Sequence, residues 1–180
     1  MKYASIAVVL AGLSILTGCE TPSPGILSLN PIVTDKDTDI DASLVGTWEP
    51  AADGDVLCII RLNGSHKYDI VLLGSDAPVA FTASLVRVGD VSLLDVTPTD
   101  KGDFRIPGHA MVRIWPTGMG LRWAYLDSEW LQQAAAVLST QSPDGKMLLL
   151  SPTNVVRNWL AGVAGDGRAY GKVITWRRVQ

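Results

Sequence analysis

The sequence predicts a mainly β (α+β) domain, an antiparallel meander sheet that is strongly curved or closed into a barrel, with two short helices near its C-terminal end. From residue 44 onward, short apolar runs are separated by turn-forming pairs such as Asn63-Gly64 and Gly89-Asp90. The runs follow one another too closely for crossover helices, which favours hairpins. Within a run such as 81–85, apolar and hydroxyl residues alternate, so each strand buries one face.

These features place nine strands along the chain. In order they are Leu44–Glu49, Val56–Leu62, Lys67–Leu73, Val79–Val88, Val91–Val96, His109–Trp115, Leu121–Leu126, Lys146–Leu150 and Ala169–Trp176.

Two segments between the late strands have helical character. Ser128 is expected to cap a helix over Glu129–Leu138, with Glu129 at the positive end of the helix dipole. Ser151 is expected to cap the second helix, with Pro152 at its first position. Apolar residues at 155, 156, 159, 160 and 163 form one stripe, which predicts packing onto the sheet.

The N-terminal segment has the character of a signal peptide. Lys2 precedes an uncharged stretch, 4–16, of about 13 residues, which is too short to span a bilayer. The stretch ends in Leu16-Thr17-Gly18-Cys19, which resembles the lipobox of bacterial lipoproteins. An ordinary signal peptide with a chance cysteine, or a core helix starting at Met1, are the alternatives.

The resemblance to lipoproteins implies a location. It implies cleavage between Gly18 and Cys19 and attachment of diacylglyceryl, with palmitate-type acyl chains, to the Cys19 sulfur. Glu20 stands where Asp would favour retention in the inner membrane. The expectation is therefore a lipid-anchored protein of the cell envelope, in the inner leaflet of the outer membrane and facing the periplasm.

Composition limits the remaining classes. Loss of residues 1–18 leaves 162 residues with a net charge of −4, which suits one domain and argues against nucleic acid as a partner. With Cys19 lipidated, Cys58 has no partner for an intramolecular disulfide. Its apolar neighbours over 56–60 predict a buried thiol.

Residues 19–43 are predicted to be a flexible acidic tether between the lipid and a domain at 44–180. The 24 residues after Cys19 would span about 25–30 Å. Alternating aspartates from Asp35 suggest a calcium loop, but the register fails. Ile40 occupies the position that requires Gly, and Gly46 the position that requires Glu.

The start of the domain resembles lipocalin-like barrels. Gly46-Thr47-Trp48 matches their Gly-x-Trp signature on the first strand. The resemblance implies that an arginine near the last strand packs over the Trp; Arg177 and Arg178 are candidates, and we take Arg177 as the partner. Such a pair contributes about 0.5–2 kcal/mol. Segments around 107–131 and 151–153 also resemble small envelope lipoproteins of bacteria, which implies no particular activity.

Trp115, Trp123 and Tyr125 form the candidate surface for a ligand or a partner, with core packing as the alternative role. His66 and His109 lie too far apart in sequence for a recognisable metal motif, so no metal or cofactor is expected. The chain has no nucleophile elbow, phosphate-binding loop or zinc-protease motif. The sequence therefore predicts a protein that is not an enzyme.

Two functions remain. The first is a non-catalytic binding or scaffold module that contacts another envelope protein. The second is a carrier of a small apolar ligand, which needs a cavity of roughly 300–1,000 Å³. Helices that fill the barrel mouth would favour the first function.

The lipidation hypothesis has a direct test. Replacing Cys19→Ala removes the thioether sulfur, so the protein should move from the detergent phase to the soluble fraction in phase partitioning. Unchanged partitioning would refute the anchor.

Overall fold

The computed structural model describes residues 24–34, 36–52, 54–74, 77–99, 108–118, 120–134, 139–141 and 146–179. Over these residues the chain is mainly β, with a closed antiparallel barrel of eight strands and two helices near the C-terminal end, which confirms the predicted fold class. The strands are β1 Ile26–Ser28, β2 Gly46–Pro50, β3 Leu57–Leu62, β4 Tyr68–Leu73, β5 Val79–Val88, β6 Val91–Pro98, β7 Ala110–Thr117, β8 Gly120–Tyr125, β9 Ser139–Gln141, β10 Met147–Leu149 and β11 Ile174–Arg178; the helices are α1 Ser128–Ala134 and α2 Thr153–Val163.

The barrel order is β11-β2-β3-β4-β5-β6-β7-β8, so β11 closes the sheet between β8 and β2. Because neighbouring strands are antiparallel, the barrel has two distinct ends. At the end that we call the base lie the β3–β4, β5–β6 and β7–β8 turns and the last residue of β11. At the opposite end, the mouth, strands β3, β5, β7 and β11 begin.

The barrel interior is apolar and is most tightly packed towards the base. A 3₁₀ turn at Ala42–Leu44 covers the base, and Leu44 is buried beside Tyr68 and Leu85. The Tyr68 hydroxyl accepts a hydrogen bond from the Asp41 backbone N–H at 2.7 Å, which ties this turn to β4. Half of the interior is therefore filled with side chains and closed to solvent.

A second apolar core lies outside the barrel. It includes outward-facing side chains of β5 to β8 and the buried faces of both helices, such as Val156 and Leu160 of α2. The apolar stripe of α2 thus lies against the barrel wall. The sequence analysis considered helices that fill the barrel mouth. The structure differs, because the apolar faces of both helices pack on the outer face of the wall.

The helix starts differ from those expected. Asp127, rather than Ser128, caps α1, because its Oδ1 accepts from the Trp130 N–H at 2.9 Å. Pro152, rather than Ser151, occupies the cap position of α2, without a side-chain hydrogen bond. Residues 135–138 of the first predicted helix lie outside the described residues.

The structure corrects the predicted tether. Residues 24–34 form a strap along the outer wall of the barrel, in which Ile26, Ile32 and Val33 are buried in the outer core. Strand β1 of the strap pairs in parallel with β10, with Ile26 opposite Met147. A small number of apolar residues, in a stretch that is otherwise polar and rich in proline, is enough to dock the segment.

Acidic residues that follow the strap are also held by the domain. Asp37 accepts a hydrogen bond from Arg157 of α2 and another from Thr34, and these interactions lower the pKa of its carboxyl. Asp39 pairs with Arg87 of β5 at 2.8 Å. The folded domain therefore extends towards the N-terminus beyond the predicted start at residue 44 and includes the strap and the aspartates that follow it.

The barrel is closed at the base by Arg178, not by Arg177. The Arg178 guanidinium lies 4.3 Å from the centroid of the buried Trp48 ring and donates to the carbonyls of Val45 (2.7 Å) and Ser43 (2.6 Å). Gly46 leaves room for it: a Cβ there would lie 2.3 Å from Arg178 Nη1, and its φ of +152° is one that L side chains rarely adopt.

Arg177 faces the other way because successive residues of a strand alternate between faces. Its Nε lies 2.7 Å from Glu49 Oε1 in an exposed pair. The resemblance to lipocalin-like barrels therefore implied this kind of contact, but the choice of Arg177 as the partner of Trp48 was wrong by one position.

These two arginines form a matched pair for a stability test. Arg178→Ala should lower the free energy of unfolding by about 1–3 kcal/mol, because it removes a cation–π contact and two charge-assisted hydrogen bonds. Arg177→Ala should cost less than about 1 kcal/mol, since it breaks an exposed ion pair. Urea unfolding followed by tryptophan fluorescence measures both, and equal losses would contradict this assignment.

Candidate functional site

Six apolar side chains that line the barrel interior are still reached by solvent, and each of them pairs in register with a buried interior residue of the next strand. They belong to the same apolar cluster as the buried base, but each is only partly buried: Leu72, Phe81, Val96, Trp123, Tyr125 and Trp176. The Trp123 ring meets Tyr125 and Trp176 edge to face, with centroids 5.3 and 5.4 Å apart. These three rings form one aromatic cluster on the inner face of β8 and β11, which we call the cup.

Two polar atoms belong to this cup. The indole Nε1 of Trp123 is buried, and it has no hydrogen-bond partner among the described residues. An unpaired buried N–H costs about 1–3 kcal/mol, which an acceptor on a bound molecule would recover. Burial raises the pKa of the Tyr125 hydroxyl above its ordinary value, at which a tyrosine is already neutral at physiological pH.

Of the three predicted surface residues, the structure brings two together. Trp123 and Tyr125 share the inner face of β8, as the sequence analysis expected. Trp115 lies on the outer face of β7, because it pairs in register with Arg122 while Ile114 pairs with Trp123. The expected grouping of Trp115 with Trp123 and Tyr125 is therefore wrong, because a difference of one residue along a strand moves a side chain to the opposite face.

Trp115 has a structural role on the outer wall. The Arg113 guanidinium lies 4.6 Å from its ring centroid and 4.9 Å from that of Tyr170. Arg122 covers Trp115 at 5.6 Å, and Arg113 also donates to the carbonyl of Ala164. This stack joins the barrel wall to the chain that follows α2.

Exposed apolar residues lie around the rim of the mouth. Leu57 begins β3, Val79 begins β5 and Val173 directly precedes β11; their exposed fractions are 37%, 47% and 38%. Leu62 and Val179 are similarly exposed at the base, so exposure alone does not distinguish the two ends. The rim is a candidate contact surface because its apolar residues lie at the end towards which the aromatic cup is uncovered.

A second site, which sequence reasoning missed, lies on the outer wall beneath the strap. Asp95 is buried, with Oδ2 accepting from the Ile32 N–H at 2.8 Å and Oδ1 lying 2.7 Å from His109 Nδ1. Thr97 Oγ1 lies 3.1 Å from the same nitrogen. The sequence analysis placed His109 at the start of a predicted strand and gave it no functional role.

Register alone would have revealed part of this cluster. Leu94 and Val96 face the barrel interior, so Asp95 between them faces outward on β6. The outer core covers this part of the wall, and a carboxylate buried there needs hydrogen-bond donors. The adjoining groove, of about 590 Å³, is lined by hydroxyl and apolar groups from the strap, β5 and β6, together with Lys67, Asp95 and His109. The contacts of Asp95 and His109 hold the strap: His109 also exchanges two backbone hydrogen bonds with Ser28.

The remaining candidates can be placed directly. Cys58 is buried in the barrel, and burial raises the pKa of its thiol to about 12, so that it is protonated and unreactive at neutral pH. His66 lies in the β3–β4 turn with a φ of +59°. Among the described residues, no cluster of three or more His, Cys, Asp or Glu is arranged to hold a metal ion.

The lipidation site lies outside this description. Gly18 and Cys19 precede the first described residue, Pro24, so cleavage and lipidation stay predictions. In the described part of the chain, no helix combines the length and apolar character needed to cross a membrane.

Comparison of the chain with protein-family models, with curated proteins and with solved structures gives no match in any of the three cases.

The role of Asp95 in holding the strap can be tested with Asp69 as a control. Asp95→Ala leaves the buried Ile32 N–H and His109 Nδ1 without their acceptor and should cost about 2–4 kcal/mol. Asp69 accepts from Asn63 at an exposed position, so Asp69→Ala should cost less than about 1 kcal/mol. Urea unfolding gives the stability, and faster amide exchange at Ile32 in Asp95→Ala alone would locate the loss. Unchanged exchange would refute this role.

Proposed function

We propose that this protein is a lipid-anchored, non-catalytic binding module of the cell envelope, and that it binds through the mouth of its barrel. The observation that carries the proposal is the asymmetry of the interior. The base is covered by the turn at Ala42–Leu44 and by Arg178, whereas the partly exposed rings of the cup have no such cover among the described residues, and exposed apolar residues lie at the mouth. Aromatic and apolar groups of this kind supply most of the binding energy at protein and ligand interfaces.

The anchoring part of the proposal is supported by the sequence. The lipobox-like run ending at Cys19 supports lipidation, and Glu20 supports an outer-membrane location facing the periplasm. The non-catalytic part is supported by the use of the Asp95–His109 pair in holding the strap. The partner class that we expect is an envelope protein that reaches the mouth from the membrane.

A second candidate function is the carriage of a small apolar ligand. The buried, unpaired Nε1 of Trp123 favours it, because this atom would donate to an oxygen on a molecule seated in the cup. The ligand would then be mainly apolar with one acceptor group, as in a fatty acid. The filled base limits such a ligand to the mouth half of the barrel.

A fluorescent fatty acid distinguishes the two candidates. A chain comprising residues 24–180 is titrated with dansyl-labelled undecanoic acid, and energy transfer from tryptophan is followed. A carrier should bind the probe saturably, and Trp123→Phe should weaken binding about 5- to 10-fold by removing one hydrogen bond from a ring of similar shape. Trp115→Phe is the matched control, because Trp115 lies on the outer wall and should leave the affinity unchanged.

Equal weakening by the two variants would contradict a site at Trp123. Absence of saturable binding would refute the carrier and would leave the module that contacts an envelope protein.

A further inference from the structure

The strap determines where the proposed lipid anchor joins the domain. Gly25 lies against Ser128, at the start of α1, and its carbonyl accepts from the Met147 N–H at 2.9 Å. Ser128 directly follows the mouth end of β8, and Ser28 pairs with His109 at the mouth end of β7. The chain therefore leaves the domain beside the mouth of the barrel.

The remaining length of chain is short. Pro24 is five residues from Cys19, and five residues span at most about 18 Å even when fully extended. The spacer of 24 residues expected from the sequence would have let the domain rotate freely above the membrane. The docked strap removes that freedom.

This short reach excludes one orientation of the barrel. Strand β5 has ten residues, and at about 3.3 Å per residue and a tilt near 40° the barrel is roughly 25 Å tall. If the base faced the bilayer, residue 24 would stand about 25 Å from it, beyond the reach of the chain. The barrel must then lie with its mouth, or its side, towards the lipid.

Two observations favour the mouth over the side: the chain leaves the domain beside the mouth, and three exposed apolar residues surround it, against Leu150 and Val155 on the outer wall. Leu57, Val79 and Val173 surround the mouth with exposed apolar side chains, each of which gains free energy by entering the interfacial region of a bilayer. We infer that the mouth of the barrel docks on the lipid bilayer surface, with this rim in contact with the headgroup and upper acyl region. This inference rests on the proposed lipidation of Cys19 and adds to it the orientation of the domain and the lipid surface as the partner of the rim.

Membrane contact can be mapped with single cysteines. The lipidated full-length protein is reconstituted in vesicles of phosphatidylethanolamine and phosphatidylglycerol, and an environment-sensitive fluorophore is attached through a maleimide. The buried Cys58 thiol, with its raised pKa, stays unlabelled. The positions are Val79→Cys at the rim, Leu62→Cys at the base with a similar exposed fraction of 41%, and Val155→Cys on the helical side.

Lipids carrying a quencher near the headgroup should quench the label at Val79→Cys several-fold more than the labels at the other two positions. Dominant quenching at Val155→Cys would show a domain lying on its side, and equal quenching at all three positions would show a freely rotating one; either result overturns the inference.

In the protein labelled at Val79→Cys, adding Val173→Asp should reduce quenching, whereas adding Val179→Asp, at an equally exposed apolar residue of the base, should not.

Failure of the anchor is distinguishable from failure of the docking. Without lipidation, the protein fails to co-float with the vesicles, and every label is unquenched. With lipidation but without docking, the protein co-floats and the pattern across the three positions is flat.

Discussion

The closure of the barrel between its last and first strands is the contact on which the rest of the structure depends. Strand β11 is separated from β2 by most of the chain, and a sheet left open here would expose two edges to other chains. Three features act together at this seam: the missing Cβ of Gly46, the buried Trp48 ring and the Arg178 guanidinium that covers it. Because β11 comes last, closure requires the chain from β8 onward to leave the barrel and return to it. That excursion forms much of the outer core.

The wall formed by β5 to β8 separates two apolar cores, and this explains its composition. On β5, Leu85 faces the interior while the adjacent Val86 faces the helices, so both faces of the strand are buried. Consecutive apolar residues therefore occur where both faces are covered, as at Leu85-Val86, whereas Arg61 and Asp69 on β3 and β4 face outward, away from the helices. The strap completes the outer core, and its polar contact at Asp95 is buried beside His109 and Thr97, where a hydrogen bond left unmade would be costly.

Local pattern was enough to predict most of the barrel, because hairpins bring together residues that are close in sequence. The strap could not be predicted in the same way. Its partner β10 lies about 120 residues further along the chain, and the arginines that bind Asp37 and Asp39 belong to α2 and β5. A segment rich in proline and aspartate has the composition of a solvated spacer until those partners are known. The errors at Arg177 and Trp115 have a different cause, since a shift of one residue moves a strand side chain to the other face.

The strap also bears on which end of the barrel faces the membrane under the proposed lipidation. A domain on a long spacer could have bound a partner through any face, and the aromatic cup would then have had no preferred direction. A docked strap that leaves the barrel beside its mouth limits a lipid attached at Cys19 to the side of the molecule where the interior is open. The filled base, covered by the turn at Ala42–Leu44 and by Arg178, then faces away from the membrane. Under the proposed lipidation, an apolar molecule moving between bilayer and cup would cross only the apolar rim. The same three rim residues would therefore serve both membrane contact and access to Trp123.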